Sequence, residues 1–352
     1  VTISPLPSLG RRLIAECGLA SSHEPVDETL VVALLERHYH LGGRLERLAT
    51  EKDDTFRLRT GTDDYLVKVS PPDEEAPVVA LQTTVMLFLE HDAPDLPVQR
   101  VRPTIDGNAS VVVESNASGT RILRVFGFVD GLVWAQSEPE THQLAEVGEM
   151  LGRIDLALAT FTHPADRRML VWDIQHFHHL GRLVAHTSNP GHRRLAQEVF
   201  RLFDEVVVPR LNELETQVIH GDFSPHNVVV NPYGDPFVTG VIDFGDTVRS
   251  AVIFDPAVPM ANLLGRGRAD PWQDARTFLE GYERIRPLEE SELALLPVAA
   301  LARLTLRALL TNWRAQHAPQ RREYFLSHAK DDWINVEQAI AVPLDEVVTQ
   351  LR

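Results

Sequence analysis

The stretch His220-Gly221-Asp222-Phe223-Ser224-Pro225-His226-Asn227 decides how this chain is read. A carboxylate and an amide stand five positions apart in a polar segment, directly before the apolar run Val228-Val229-Val230. Asn231-Pro232-Tyr233-Gly234-Asp235-Pro236 comes next, dense in turn formers. The chain returns through the mostly apolar residues 237–242 and delivers Asp243. Pairing of the two apolar runs as a hairpin would put Asn227 and Asp243 at the same open end, with Asp222 close by.

Oxygen donors gathered in that way suit phosphoryl transfer. One carboxylate orients an attacking hydroxyl and accepts its proton, while hard oxygens hold Mg²⁺ against the phosphates. Asp222-x4-Asn227 followed by Asp243-Phe244-Gly245 has the spacing of the protein-kinase catalytic and metal loops. Either piece alone would serve equally as a polar turn or a strand-end cap. Joined by a hairpin, the two favour the chemical reading. Lys68, in the apolar strand Tyr65-Leu66-Val67-Lys68-Val69, is a second element. Only Lys52, Lys68 and Lys330 among 34 basic residues are lysines, so an incidental lysine at that place is poorly expected. Kinases use a strand lysine to contact the α- and β-phosphates.

Working outward, residues 1–40 read as helical, with Leu30, Leu34 and Leu35 as an apolar stripe. Residues 45–69 read as strands separated by turns, followed by a helix over 78–90 and strands at 111–113 and 122–129. Helical patterns then dominate: 141–160, 174–184, 194–214, 272–285 and 290–317. Strand signals return only at 228–230 and 237–242. The expected class is therefore α+β, with a sheet-rich N-terminal lobe over residues 1–129 and a helical lobe over 130–352.

The 352 residues are 44% apolar and 24% charged, enough for a core without staples. The single cysteine, Cys17, excludes a disulfide framework and fits a reducing cytoplasm. No uninterrupted apolar run reaches the ~18 residues of a membrane span. A net charge of −16 argues against broad contact with nucleic acid or anionic lipid. There is no Walker A sequence and no Gly-x-Ser-x-Gly elbow, and Gly265-Arg266-Gly267 reads as a plain turn. His176, His178 and His179 lack acidic or cysteine partners at ligand spacing and read as a solvated helix face.

These residues are similar to those of the aminoglycoside phosphotransferase and choline-kinase superfamily, most closely its hydroxylysine-kinase-like branch. That branch includes kinase-like domains fused to class III aminotransferases. The resemblance runs from about residue 40 onward. It is carried by His220 to Asn227, by Ile242-Asp243-Phe244-Gly245-Asp246, and by the softer matches Leu151 to Asp155, Val171-Trp172-Asp173, Asp255-Pro256-Ala257 and Arg322-Glu323-Tyr324. It implies a bilobal protein-kinase-like fold, ATP as donor with GTP as the alternative, and Mg²⁺. By position it implies Asp222 as catalytic base, Asn227 and Asp243 as metal ligands, and Lys68 as the phosphate lysine. His220 and Asp255 would brace the catalytic loop. Val125, Phe126 and Phe128 would lie in the interlobe hinge that meets the purine. Residues 50–56 would cover the phosphates, although they contain no glycine. The helix position that usually carries a glutamate for the strand lysine is Gln82, with Glu74 or Glu75 as substitutes.

The implied acceptor is a small, cationic alcohol, 5-hydroxylysine first and aminoglycosides second. Asp255 follows Asp243 too closely for a peptide-docking activation loop, which argues against a protein kinase. A nucleotide-binding pseudokinase and a metal-dependent hydrolase are the other classes, and Lys68 has no role in the second. Asp246, Arg303, Arg307 and Trp313 are the acceptor-side candidates. The competing role for Asp246 is as cap of a following helix, and for the other three core packing or a helix surface.

Overall fold

The computed structural model describes residues 9–16, 24–50, 52–72, 74–115, 119–318, 322–328 and 330–351; Cys17 lies outside them. Six strands form the first sheet: β1 Arg44–Leu48, β2 Asp54–Arg59, β3 Asp64–Val69, β4 Val101–Arg102, β5 Val111–Ser115 and β6 Gly119–Gly127. Their order is β1-β2-β3-β6-β4, every pairing is antiparallel, and β5 also pairs with β6. Helices α1 Leu9–Glu16 and α2 Glu28–Tyr39 precede the sheet, and α3 Ala76–Asp92 follows β3.

The period-2 alternation of β3 and β6 sorts their side chains by face. Val67, Val69, Leu123 and Val125 pack in one core with Val31, Leu35 and Tyr39 of α2. The buried stripe of α2 is therefore Val31-Leu35-Tyr39, and Leu30 is 38% exposed, which corrects the expected stripe by one helical position. Leu66 and Phe126 face the other way, onto Leu81, Val85 and Leu89 of α3 and the core of the helical part. Lys68 belongs to that second face. Its position in the cleft follows from the register of one strand.

Five further short strands lie in the remainder: β7 Leu132–Val133, β8 Thr216–Ile219, β9 Val228–Val230, β10 Val238–Val241 and β11 Val248–Ala251. β9 and β10 form the expected hairpin, with β7 added on β9; β8 pairs with β11. The sequence patterns did not anticipate β7, β8 or β11, which are too short to show a period. Around them lie α4 Thr141–Leu158, α5 Pro190–Leu202, α6 Phe254–Leu263, α7 Gln273–Ile285, α8 Glu290–Leu293, α9 Leu296–His317, α10 Arg322–His328, α11 Asp332–Ile340 and α12 Leu344–Leu351. The helical pattern expected over 174–184 is a 3₁₀ helix at Ile174–His186, and the one expected over 194–214 passes through a π turn at Phe203–Val207 after α5.

Among the described residues one helix, Glu290–His317, is long and apolar enough to cross a membrane. Its most apolar window is 89% buried inside the protein, so its composition is that of a core helix. α4 and α7 meet backbone to backbone at glycines. A Cβ on Gly148 would clash with the Phe278 carbonyl oxygen, and one on Gly281 with that of Ala145. Gly281→Ala is expected to destabilise by roughly 1–3 kcal/mol, as overpacking at a close contact does. Thermal denaturation should show a fall of several degrees; an unchanged midpoint would contradict so tight a crossing.

Candidate active site

Two loops span the gap between the two small sheets. Residues 220–227 run from β8 to β9, and residues 242–247 from β10 to β11. Because Ile219 pairs with Val248 and Val228 with Val241, the loops are tied together at both ends. Between those ends they pass so closely that a Cβ on Gly221, at φ 79°, would strike the Asp246 carbonyl oxygen. Glycine is the residue that fits there. Asp243 itself is left-handed at φ 59° and caps the 3₁₀ turn Phe244–Asp246, accepting from Gly245 N at 3.2 Å.

Asp255 and His220 hold the first loop. The Asp255 carboxylate accepts from His220 N at 2.8 Å and from Gly221 N at 2.9 Å. The His220 ring is fully buried; its Nδ1 accepts from Asp222 N at 3.3 Å, which leaves Nε2–H to donate to Ile242 O at 3.2 Å. One imidazole thereby joins both loops. Asp155, also fully buried, lies against Asp255 and accepts from Tyr282 Oη at 2.8 Å. Burial, followed by the negative charge of Asp255, pushes the Asp155 carboxyl well above its ordinary value. Its Oδ1 receives no donor from any described residue. A proton on Asp155 donated to Asp255 meets both conditions.

Asp222 is gripped from two sides. Asn227 Nδ2 donates to its Oδ2 at 2.8 Å and to its backbone carbonyl at 2.9 Å, while Arg303 Nη2 donates to its Oδ1 at 2.9 Å. Lys68 Nζ reaches Asp243 Oδ1 at 3.0 Å. The lysine charge, opposed by burial, holds the Asp243 carboxyl below the usual carboxylate range. Gln82 does not partner Lys68. Its Nε2 donates to Gly245 O at 3.1 Å and its Oε1 accepts from Arg124 Nη1 at 2.7 Å. Glu74 pairs with Lys52 instead.

Arg124 is the partner that the sequence reading passed over. It sits directly opposite Lys68 in the β3–β6 register and is 2% exposed. Like charges directly across a ladder destabilise it unless each has a counterion. Here Asp53, in the segment expected to cover the phosphates, takes Arg124 Nη2 at 3.1 Å. The rarity that marked Lys68 gives no signal for an arginine, and only its place inside an apolar strand could have pointed to it. The neighbouring hinge residues Val125 and Phe126 are buried, and the Phe128 N–H is committed to Asp64 O at 3.0 Å.

Of the expected acceptor-side candidates, the structure brings Asp246 and Arg303 together with Asp222, and adds two residues that were not candidates for that side, Trp172 and Arg168. Asp173 caps the 174–186 helix through Gln175 N at 3.2 Å and accepts from Ser250 Oγ at 2.6 Å, which fixes the neighbouring Trp172. The Arg303 guanidinium lies 4.5 Å over the Trp172 ring. Arg168 donates to Thr247 O at 3.0 Å and to Gly245 O. Burial, followed by the charge of Asp222, pushes the Asp246 carboxyl up to about 6. Beyond Asp246 the chain enters β11, so this residue caps no helix on its C-terminal side. Arg307 is consumed by Asp332 and Asn262, and Trp313 stacks on His317, centroids 4.1 Å apart; neither contacts Asp222.

Asn227 and Asp243 fit a divalent cation. Asn227 commits its Nδ2 to Asp222, leaving Oδ1, and Lys68 and Gly245 both take Oδ1 of Asp243, leaving Oδ2. Two hard oxygens are thereby left for a metal. Among the described residues no group of three or more His, Cys, Asp or Glu side chains is arranged to hold one, His176 to His179 included.

The profile of the phosphotransferase enzyme family, APH, matches residues 45–290. The chain belongs to that family. The hydroxylysine kinase of Mus musculus is 25% identical over 343 residues, spanning 91% of this chain and 90% of that protein. The homoserine kinase of Nitrobacter winogradskyi is 32% identical over 189 residues, 53% of this chain and 55% of that one. Among solved structures, a microcompartment-associated aminopropanol kinase superposes with a TM-score of 0.71 at 18% identity, covering 90% of this chain and all of that one. That likeness shows the bilobal fold. As a member of the phosphotransferase enzyme family the protein is a small-molecule kinase with a hydroxyl acceptor, and its kinase relatives imply ATP as donor.

The buried Asp155–Asp255 pair yields a pH prediction. A carboxyl raised on folding contributes stability that is complete below its unfolded value, about 3.9, and is lost as pH rises through the folded value. Asp155→Asn keeps a donor toward Asp255 and an acceptor for Tyr282 without any proton to lose. Its melting temperature relative to wild type should therefore rise from pH 5 to pH 9. Asp155→Leu should cost about 1–3 kcal/mol by leaving both partners unmet. A pH-independent difference for Asp155→Asn would show that Asp155 is not the proton carrier.

Proposed function

We propose that this kinase transfers the γ-phosphoryl of ATP to the hydroxyl of a small amine or amino acid, with Asp222 as the catalytic base and 5-hydroxylysine as the first acceptor to test. The observation that carries the reading is the junction of four groups from three segments: the Asp222–Asn227 bond and the Lys68–Asp243 bridge, both at the open end of the β9–β10 hairpin. Asn227 fixes the Asp222 carboxylate so that a lone pair remains for the acceptor hydroxyl. Proton transfer from that hydroxyl to Asp222 raises its nucleophilicity as the phosphoryl departs. Lys68 would exchange Asp243 for the nucleotide phosphates. Arg124, bound to Asp53, positions the loop above them. Asn227 and Asp243 would hold Mg²⁺, which would supply charge neutralisation for phosphoryl transfer. ATP, with GTP as the alternative, would meet the hinge near Phe128, and dependence on it fits a cytoplasmic enzyme.

For the acceptor, support comes from the hydroxylysine kinases of Mus musculus and Danio rerio, 25% and 24% identical to this chain, each match spanning about nine-tenths of both proteins. A partly exposed Asp246 offers an ammonium group a counterion beside the base. The acceptor reading is tested by comparing kcat/KM for 5-hydroxylysine, ethanolamine, choline and kanamycin; preference for kanamycin would reverse the order of candidates.

Asp222→Asn should lower turnover by about 10²–10⁴-fold, the usual weight of a general base, with Mg-nucleotide affinity changed only a few-fold. Near wild-type turnover would remove Asp222 from the mechanism. Asp243→Ala frees Lys68 while deleting a metal ligand. Calorimetry should then show nucleotide affinity without Mg²⁺ equal to or above wild type, and no gain on adding Mg²⁺. A retained Mg²⁺ gain would contradict the metal assignment.

A further inference from the structure

We infer that Gln82 is a positioning residue: its side-chain amide keeps the sheet lobe seated on the 242–247 loop while nucleotide phosphates take Lys68 away from Asp243. The inference rests on that proposed exchange. Lys68 holds Asp243 Oδ1 at 3.0 Å, and the same oxygen accepts from Gly245 N at 3.2 Å. Gly245 O accepts from Gln82 Nε2 at 3.1 Å, and Gln82 Oε1 accepts from Arg124 Nη1 at 2.7 Å. Arg124 stands opposite Lys68 in the β3–β6 register, which closes a circuit across the cleft. The links of that circuit that run between the lobes are the Lys68–Asp243 bridge and the Gln82–Gly245 bond. When the phosphates take Lys68, the first is given up and the second remains. Without the second, the lobes part and nucleotide binding has to bring them together again, which lowers affinity.

The chemistry of its two partners dictates the residue. A guanidinium only donates and a backbone carbonyl only accepts, so the group between Arg124 and Gly245 must accept on one side and donate on the other. An amide does both. A carboxylate only accepts: it would meet Gly245 O lone pair to lone pair. Its charge would also draw Arg124 away from Asp53, to which Nη2 is bound at 3.1 Å. Gln82 is 8% exposed, so water does not readily replace either bond. The Gly245 carbonyl is held from the helical lobe as well, by Arg168 Nη2, and Arg168 also donates to Thr247 O at 3.0 Å. Gly245 is thus where both lobes grip the loop that carries Asp243. A glutamate, the usual partner of the strand lysine, is the wrong group at this place.

Calorimetric titration of the protein with Mg-ATP, with no acceptor present, tests this. Gln82→Glu removes the donor to Gly245, and Gln82→Met removes donor and acceptor without adding charge. Both should bind Mg-ATP on the order of tenfold more weakly than wild type, the net weight of one hydrogen bond. The constant is read from folded protein, so a purely structural role, which lowers the melting temperature alone, leaves it unmoved. Lys68→Ala is titrated alongside and should also bind more weakly, since it deletes the proposed phosphate contact. With that fall present, wild-type or tighter affinity in Gln82→Glu means that a glutamate serves Lys68, and it overturns the inference alone. A fall confined to Gln82→Glu does the same, because a negative charge near the phosphates explains it. If Lys68→Ala binds as wild type does, the proposed exchange fails and the inference fails with it.

Discussion

Lys68 and Asp243 stand 175 positions apart in the chain and 3.0 Å apart in the fold. That bridge is possible only because the inner face of β3 looks across the cleft at the open end of the β9–β10 hairpin. It also reports the constraint under which the cleft is built, since charges taken from water must be matched. Lys68 and Arg124 face each other across the ladder, and each has its own aspartate, Asp243 and Asp53. In this arrangement a neutral Gln82 suffices on α3. Its carbonyl accepts a hydrogen bond from Arg124 and its amino group reaches Gly245, tying helix, sheet and the 242–247 loop together without adding charge.

The far side of the cleft carries a second set of paired charges. Asp222 is held by Arg303 and Asn227, and Asp246 is pushed up to about 6 by burial and by its acidic neighbours. On that side Arg303 keeps two donors without acceptors among the described residues.

Beneath both sides lies a scaffold that allows little movement. Asp255 and His220 fix the two loops to each other, and the proton shared between Asp155 and Asp255 lets two carboxyls sit together in a dry core. Tyr282 on α7 reaches that pair, so the close glycine contact of α4 with α7 bears on loop geometry some distance away. Preorganised loops of this kind matter for phosphoryl transfer because catalysis there consists mainly of positioning and charge stabilisation.

The residues proposed to bear the chemistry could be picked out before any fold was known, because their identities and spacing are local. Asp222, Asn227 and Asp243 sit on one turn-rich segment, and Lys68 stands out as a lysine in a chain that writes its cations as arginine. The α+β class and the long helices were equally legible, since their periods extend over many residues. β8 and β11 were not, being four residues each and held by pairing across a separation that no window spans. Nor could the sequence say which group would meet Lys68, that Arg124 would oppose it, or that Trp172 would lie under Arg303. Those are contacts between segments remote in the chain, and only the packed tertiary structure, which fixes register, face and distance together, decides them.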